Sequence, residues 1–305
     1  MAKFVKNVLL FFALIAVVDI ACGFGFKYLR SHAKGGDTLK NYYIAEECCD
    51  DILILGSSRA ARHYDPKVLE DSLGLSCYNC GEPGCGIITA YARYGMIEPR
   101  HKPRIVIYEV SPLYDYYILD DNSKYLGRIR QYADKPSVKQ MFIELEDELE
   151  GLRLFSNMYK NNSFVFNSVL DNVISDGSSN GFKPLYGILK TDTQEGVRAN
   201  RDWQIDSVKL SYMENLIINF SKDNVRLCFM VSPRYISEEN ARKQDSDYVT
   251  LVGLCHRYSV PFINHTYMEG ISDKPELFQD YGHMNREGAK RYSEAIVADL
   301  KQYIE

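Results

Sequence analysis

Three short segments carry residue types that could perform acyl-transfer chemistry. In DILILGSSRAARHYDP, residues 51–66, an apolar run meets Gly56, Ser57 and Ser58 and then a helical pattern. A serine there stands at the carboxyl end of a strand, where open α/β sheets place their ligands. The same serines would equally suit a helix cap or a turn. In FQDYGHMNREGAKRY, residues 278–292, Asp280 and His283 lie three apart before a helix. One turn of backbone can bring that carboxylate to the imidazole, fix its tautomer and stabilise the imidazolium formed when it takes a proton from a nucleophile. Taken alone, D-x-x-H is also a common surface pairing. Between them, YNCGEPGCG, residues 78–86, spaces its glycines so that a loop can bring backbone N–H groups up to an oxyanion. Glycine and proline at these positions also make ordinary turns.

The elements that must position these residues are legible as alternating patterns. Ile52 to Leu55, Cys77 to Asn79, Arg104 to Glu109, Val225 to Val231 and Pro261 to Asn264 are short apolar runs without period-2 polarity, as expected for parallel strands buried on both faces. Pro66 to Leu73 reads as a helix with Asp65 as its N-cap. Arg286 to Ile304 places Ala289, Tyr292, Ile296, Leu300 and Tyr303 on one helical stripe. The alternation predicts an α/β fold with a doubly wound sheet. Residues 113–206 break the rhythm with helical stretches, including the acidic ELEDELEGLR of residues 144–153, and read as a helical insertion covering one sheet edge. The acidic run is expected as a solvated helix face. The expected organisation is an anchor at 1–30, a connector at 31–49 and an α/β domain at 50–305.

The anchor is the strongest composition shift in the chain. Val8 to Phe26 is a 19-residue stretch whose only charged side chain is Asp19, just long enough as a helix to cross a hydrocarbon core. An uncleaved anchor is the leading reading, ahead of a cleaved signal peptide and a buried soluble helix. Lys3 and Lys6 on one side oppose Lys27, Arg30 and Lys34 on the other, so charge does not orient it. Asp19 invites a membrane partner helix, and it also lies close enough to the distal end to reach the interface. The remaining composition is that of a globular protein: 305 residues, 46% hydrophobic, with a net charge of -5 and no long basic run, which argues against a nucleic-acid partner. Eight cysteines are too few for a disulfide scaffold. Cys77, Cys80 and Cys85 contain one C-x-x-C spacing without a second ligand pair, so no metal site is expected. No cofactor is called for.

The order of G-S-S after the first strand, N-x-G-x-x-G after the second and D-x-x-H before the last helix resembles the SGNH, or GDSL-type, serine hydrolase superfamily. The resemblance implies a three-layer α/β/α sandwich around a mostly parallel five-stranded sheet. It also implies Ser58 as nucleophile, the amides of Ser58 and Gly84 as oxyanion donors, His283 as general base and Asp280 as its partner. Within the superfamily the chain looks most like the membrane-anchored, extracytoplasmic branch of bacterial envelope and exopolysaccharide systems. That branch implies an esterase or acyltransferase acting on an acylated glycan. The pattern departs at the third block: where the family carries an asparagine donor, this chain reads Tyr108-Glu109-Val110-Ser111-Pro112. Losing one such donor can cost about 10²- to 10³-fold in rate. Ser111, Arg59 or a residue of the insertion is the candidate substitute, and slow catalysis or a non-catalytic, glycan-binding accessory is the competing expectation. Arg59 and Arg62 could hold an anionic substrate group or pair locally. Tyr114, Tyr116 and Tyr117 could stack on a sugar ring or pack within the insertion.

Overall fold

All five apolar runs form strands in the computed structural model, which describes residues 1–174, 180–191, 193–196 and 203–303. In chain order the first elements are α1 (Ala2–Ser31) and α2 (Gly36–Tyr42). There follow β1 (Ile52–Gly56), α3 (Ser58–His63), α4 (Pro66–Leu73), β2 (Cys77–Asn79), α5 (Ile87–Ile97), β3 (Ile105–Glu109) and α6 (Pro112–Asp115). Four helices come next: α7 (Pro136–Leu145), α8 (Glu148–Arg153), α9 (Asn157–Asn161) and α10 (Val165–Val173). The remainder is α11 (Ser207–Lys222), β4 (Arg226–Val231), α12 (Glu238–Lys243), α13 (Val249–Tyr258), β5 (Phe262–Asn264), β6 (Phe278–Asp280), β7 (His283–Met284), α14 (Arg286–Ala295) and α15 (Val297–Lys301).

The chain divides into two compact units, one of Met1–Glu47 with Leu126–Gly177 and one of Cys48–Tyr125 with Ser178–Glu305. The second unit holds a five-stranded sheet of order β2-β1-β3-β4-β5, parallel throughout. Side chains alternate across it. Ile52, Ile54, Ile105, Ile107, Cys228 and Met230 join a core with Ala60, Leu69, Tyr292 and Leu300 of α3, α4, α14 and α15. On the opposite face Tyr108 meets Phe229, while Tyr94 of α5 meets Phe220 of α11. Burial on both faces explains why β1, β2, β3 and most of β4 read as continuous apolar runs, whereas the edge strand β5 is half-buried with Asn264 exposed, contrary to the expectation of full burial.

Local signals set the helix ends. Asp65 accepts the Lys67 amide at 3.0 Å, Pro66 opens α4, and Gly74 closes it in the left-handed conformation. Asn285 caps α14 through the Gly288 amide. The single helix expected from Arg286 onward breaks at Ile296 into α14 and α15, yet Ala289, Tyr292, Ile296 and Leu300 all remain fully buried. Ile304, the last residue of that expectation, lies outside the described residues.

The first unit is helical. α1 is a 30-residue helix with a mean hydropathy of 2.5 over its most apolar window and no burial there, so it is long and apolar enough to cross a membrane. The stretch read as a connector carries α2 and a π-helical turn at Tyr43–Glu47. The stretch read as one insertion at 113–206 is shared between the units and includes residues outside the described set. Composition marks where the alternating pattern stops; it does not say which side chains pack together.

Candidate active site

Ser58 is the first residue of α3, one step beyond the turn that leaves β1. That turn lies at the point where the sheet reverses its winding, with β2 on one side of β1 and β3 on the other. Gly56 makes the turn. Its φ is +127°, and a Cβ there would lie 2.4 Å from the Glu109 carbonyl oxygen, so only glycine lets β1 and β3 end side by side. Ser57 is fully buried, and among the described residues its hydroxyl has no hydrogen-bond partner. The Ser58 hydroxyl is half-buried and meets His283 Nε2 at 2.8 Å.

Asp280 and His283 are held by a two-stranded hairpin, an element no sequence pattern announced. They pair across β6 and β7. Asp280 Oδ1 accepts the amides of Gly282 and His283 at 2.8 and 2.9 Å, and the carboxylate stands 2.9 to 3.0 Å from His283 Nδ1. A carboxylate only accepts, so Nδ1 carries the proton and Nε2 is left to accept the Ser58 O–H. Burial pushes the Asp280 carboxyl up, but the imidazole and the two amides outweigh it and hold it below the usual range. The three residues thus form one relay.

A second histidine, which sequence reading missed, braces this relay. His63 ends α3, is fully buried and stacks edge-on to His283 with ring centroids 6.1 Å apart. Its Nε2 accepts the Met284 amide at 3.0 Å, so Nδ1 bears the proton and donates to Ser232 Oγ at 2.7 Å. Burial first, then His283, Arg59 and Arg62, push its pKa well below the usual value and keep it neutral. His63 therefore fixes the backbone on which His283 stands. No spacing signals a contact across 221 residues.

The other nominated residues fall as follows. Gly84, with φ +74°, is exposed in the loop after β2. That loop is tied to the end of β1, since the Cys80 amide donates to the Ile54 carbonyl and the Glu82 amide to the Gly56 carbonyl. Tyr114 packs against the same loop, its carbonyl oxygen and Cβ closing the space beside Gly86, and its ring meets Tyr125 edge-on. Ser111 precedes α6 and gives its amide to Asp115 Oδ2 at 2.6 Å. Arg59 is not presented as a hook for an anionic substrate. It is only 8% exposed, its Nε lies 3.0 Å from Glu109 Oε1, and it donates to the Val110 carbonyl at 2.5 Å. Glu109 Oε2 also accepts from the Tyr64 hydroxyl at 2.5 Å and the Ser232 amide at 2.9 Å. At the third-block position the chain thus has a carboxylate turned into a buried ion pair. Tyr116 is buried with its hydroxyl on the Asp247 carbonyl, and Tyr117 stacks on Trp203.

Among the described residues no three His, Cys, Asp or Glu side chains gather as a metal site would require. Cys77, Cys80 and Cys85 are buried free thiols. Burial pushes the Cys77 thiol well above its usual pKa.

No protein-family profile and no curated protein matches this sequence. Solved structures with a similar trace include a Streptococcus pneumonia protein provisionally named a platelet activating factor, at TM-score 0.43 and 11% identity over 94% of this chain and 99% of that one. Another is an active-site mutant of a family two carbohydrate esterase from Clostridium thermocellum, at TM-score 0.40 and 10% identity over 83% and 63%. A third is an alpha/beta hydrolase from the metagenome of Lake Arreo, Spain, at TM-score 0.41 and 8% identity over 83% and 94%. At these values the likenesses assign neither a family nor an activity to this chain.

Proposed function

We propose that the protein is a serine esterase or O-acyltransferase of SGNH type, anchored by α1, that removes or transfers an acyl group on a cell-envelope glycan. The observation that carries this reading is the Ser58–His283–Asp280 relay, with its hydroxyl to imidazole distance of 2.8 Å and a carboxylate on the far ring nitrogen. His283 Nε2 takes the Ser58 proton as Oγ attacks the ester carbonyl. The amides of Ser58 and Gly84 hold the oxyanion. Collapse breaks the C–O bond to the glycan, whose departing oxygen takes the proton from His283 and leaves as a hydroxyl, and an acyl-serine remains. Water, or a second hydroxyl deprotonated by His283, then releases the acyl group. Tyr114 and Ser111, at the sheet edge beyond β3, are the proposed contacts to the substrate.

One observation favours a second reading. With Glu109 in its ion pair, the third-block position offers no side-chain donor to the oxyanion, so a glycan-binding accessory without turnover is the competing function. Labelling with a fluorophosphonate separates the two. Covalent labelling of the full chain in detergent that disappears in Ser58→Ala and falls sharply in His283→Ala supports the hydrolase, and release of acetate from acetylated glycans then defines the substrate. A folded chain that takes no label overturns it in favour of the binding protein.

A further inference from the structure

Two helices of the helical unit, α8 and α10, are inverted with respect to polarity. In α10, Phe166, Val169, Leu170 and Val173 recur at i, i+3, i+4 and i+7, the stripe that a water-soluble helix turns inward. Here the stripe faces out, with Phe166 72% and Val173 75% exposed. The polar face is the one that packs. Ser168 is buried against Thr38, Asp171 accepts the Thr38 amide at 3.1 Å, and Asn172 donates to the Leu29 carbonyl at 2.8 Å. α8 repeats the pattern. Glu150 is fully buried, bonded to the Tyr159 hydroxyl at 2.8 Å and paired with Arg153, while Leu149 and Leu152 are 59% and 64% exposed. Water would favour the opposite arrangement for both helices.

The same unit supplies the reason. Asp19, the only charge in the apolar stretch of α1, accepts the Ser156 hydroxyl at 2.6 Å, the Asn157 amide at 2.8 Å and the Met158 amide at 2.9 Å. It therefore satisfies the amino end of α9. At Gly23 a Cβ would lie only 2.7 Å from Asn157 Cγ, so α9 approaches α1 closely, and Arg30 closes the contact on Asn161 at 2.6 Å. Asp19 lies seven residues inside Phe26, about 10 Å along the helix axis. The start of α9 thus stands about 10 Å below the end of the apolar run.

We propose that α8 and α10 are lipid-facing, and that residues 148–173 enter the leaflet occupied by the carboxyl-terminal half of α1 with their exposed apolar side chains against acyl chains. This rests on reading α1 as a membrane span. Three features select lipid as the occupant: α9 and α10 pack on the bare α1, the carboxylates of Asp19, Glu150 and Asp171 are satisfied inside the unit, and hydrocarbon makes an outward Phe and Val favourable. Asp19 is then an internal cap for a re-entrant helix and needs no second membrane protein.

Depth-dependent fluorescence quenching tests this on the full chain. Trp203 is the sole tryptophan, and Trp203→Phe clears the background. Single Phe166→Trp, Phe12→Trp and Val249→Trp reporters are placed in that chain and reconstituted in phosphatidylcholine vesicles with or without lipid brominated on its acyl chains. Phe12, in α1, reports the span, and Val249, exposed in the second unit, reports solvent. The expected result is a blue-shifted Phe166→Trp emission that loses intensity to brominated lipid and resists aqueous acrylamide, as Phe12→Trp does, with the reverse at Val249→Trp. Quenching at position 12 but only by acrylamide at 166 overturns the proposal while leaving the span intact. Loss of lipid quenching at both overturns the span as well. Protection at 166 from both quenchers identifies another copy of the chain as the occupant and also overturns it.

Discussion

At the residue scale, the proposed catalytic relay depends on which nitrogen of His283 carries the proton. Asp280 holds it on Nδ1, and an amide at that position could offer an N–H and turn the ring to the wrong tautomer. Asp280→Asn is therefore expected to lower kcat on a chromogenic acetate ester by on the order of 10⁴-fold with KM nearly unchanged, as steady-state kinetics will show. A different penalty applies at Arg59. Arg59→Met preserves most of the side-chain volume but leaves Glu109 buried without its cation, and the expected loss is about 3 to 5 kcal/mol by urea denaturation. Had Arg59 been an exposed substrate contact, the same change would raise KM and leave stability almost untouched.

At the scale of elements, the site is a set of strand ends held at one edge. The turn from β1 to α3 tolerates only glycine, because any side chain at position 56 meets both an unfavourable φ and the Glu109 carbonyl. Gly56→Ala is expected to destabilise the protein by at least about 3 kcal/mol, read as a lowered urea midpoint. The junction of β3, α6 and α5 hangs on Asp115, which is fully buried and accepts from the Tyr108 hydroxyl at 2.7 Å and the Ser111 amide at 2.6 Å. Burial outweighs these bonds and pushes its carboxyl up to about 7. A folded-state pKa raised above the unfolded value near 3.9 contributes stability that is complete below that value and is lost as pH rises through about 7. Asp115→Asn removes this dependence and also turns an amide N–H toward a donor. The stability gap between wild type and variant should thus be wider at pH 5 than at pH 8 in paired denaturation curves.

At the scale of the molecule, the chain is two units that draw on separated stretches of sequence. α1 belongs to the helical unit by packing, through Asp19, Gly23 and Arg30. Deleting residues 1–31 should leave residues 126–174 without the partner of α9 and α10. Limited proteolysis in mild detergent is expected to cut first within that stretch in the shortened chain, while the full chain resists there and the sheet of the second unit survives in both.

Much of the site was legible before any coordinates because its parts are local. β1 and the serine after it announce themselves as an apolar run ending in Gly-Ser-Ser, and Asp280 and His283 are three residues apart, so one turn of backbone can bring them together. The strands β1 to β4 follow from continuous apolar runs, since burial on both faces leaves little other composition available, while β5 keeps an apolar run at a half-buried edge. Partner choice over long separations was not legible. That Glu109 takes Arg59, that His63 accepts the Met284 amide, and that α10 turns its serine inward and its phenylalanine outward depend on which surfaces the fold brings together. An amphipathic period states that a helix has two faces. Only the tertiary packing, and the medium around it, decides which one is inside.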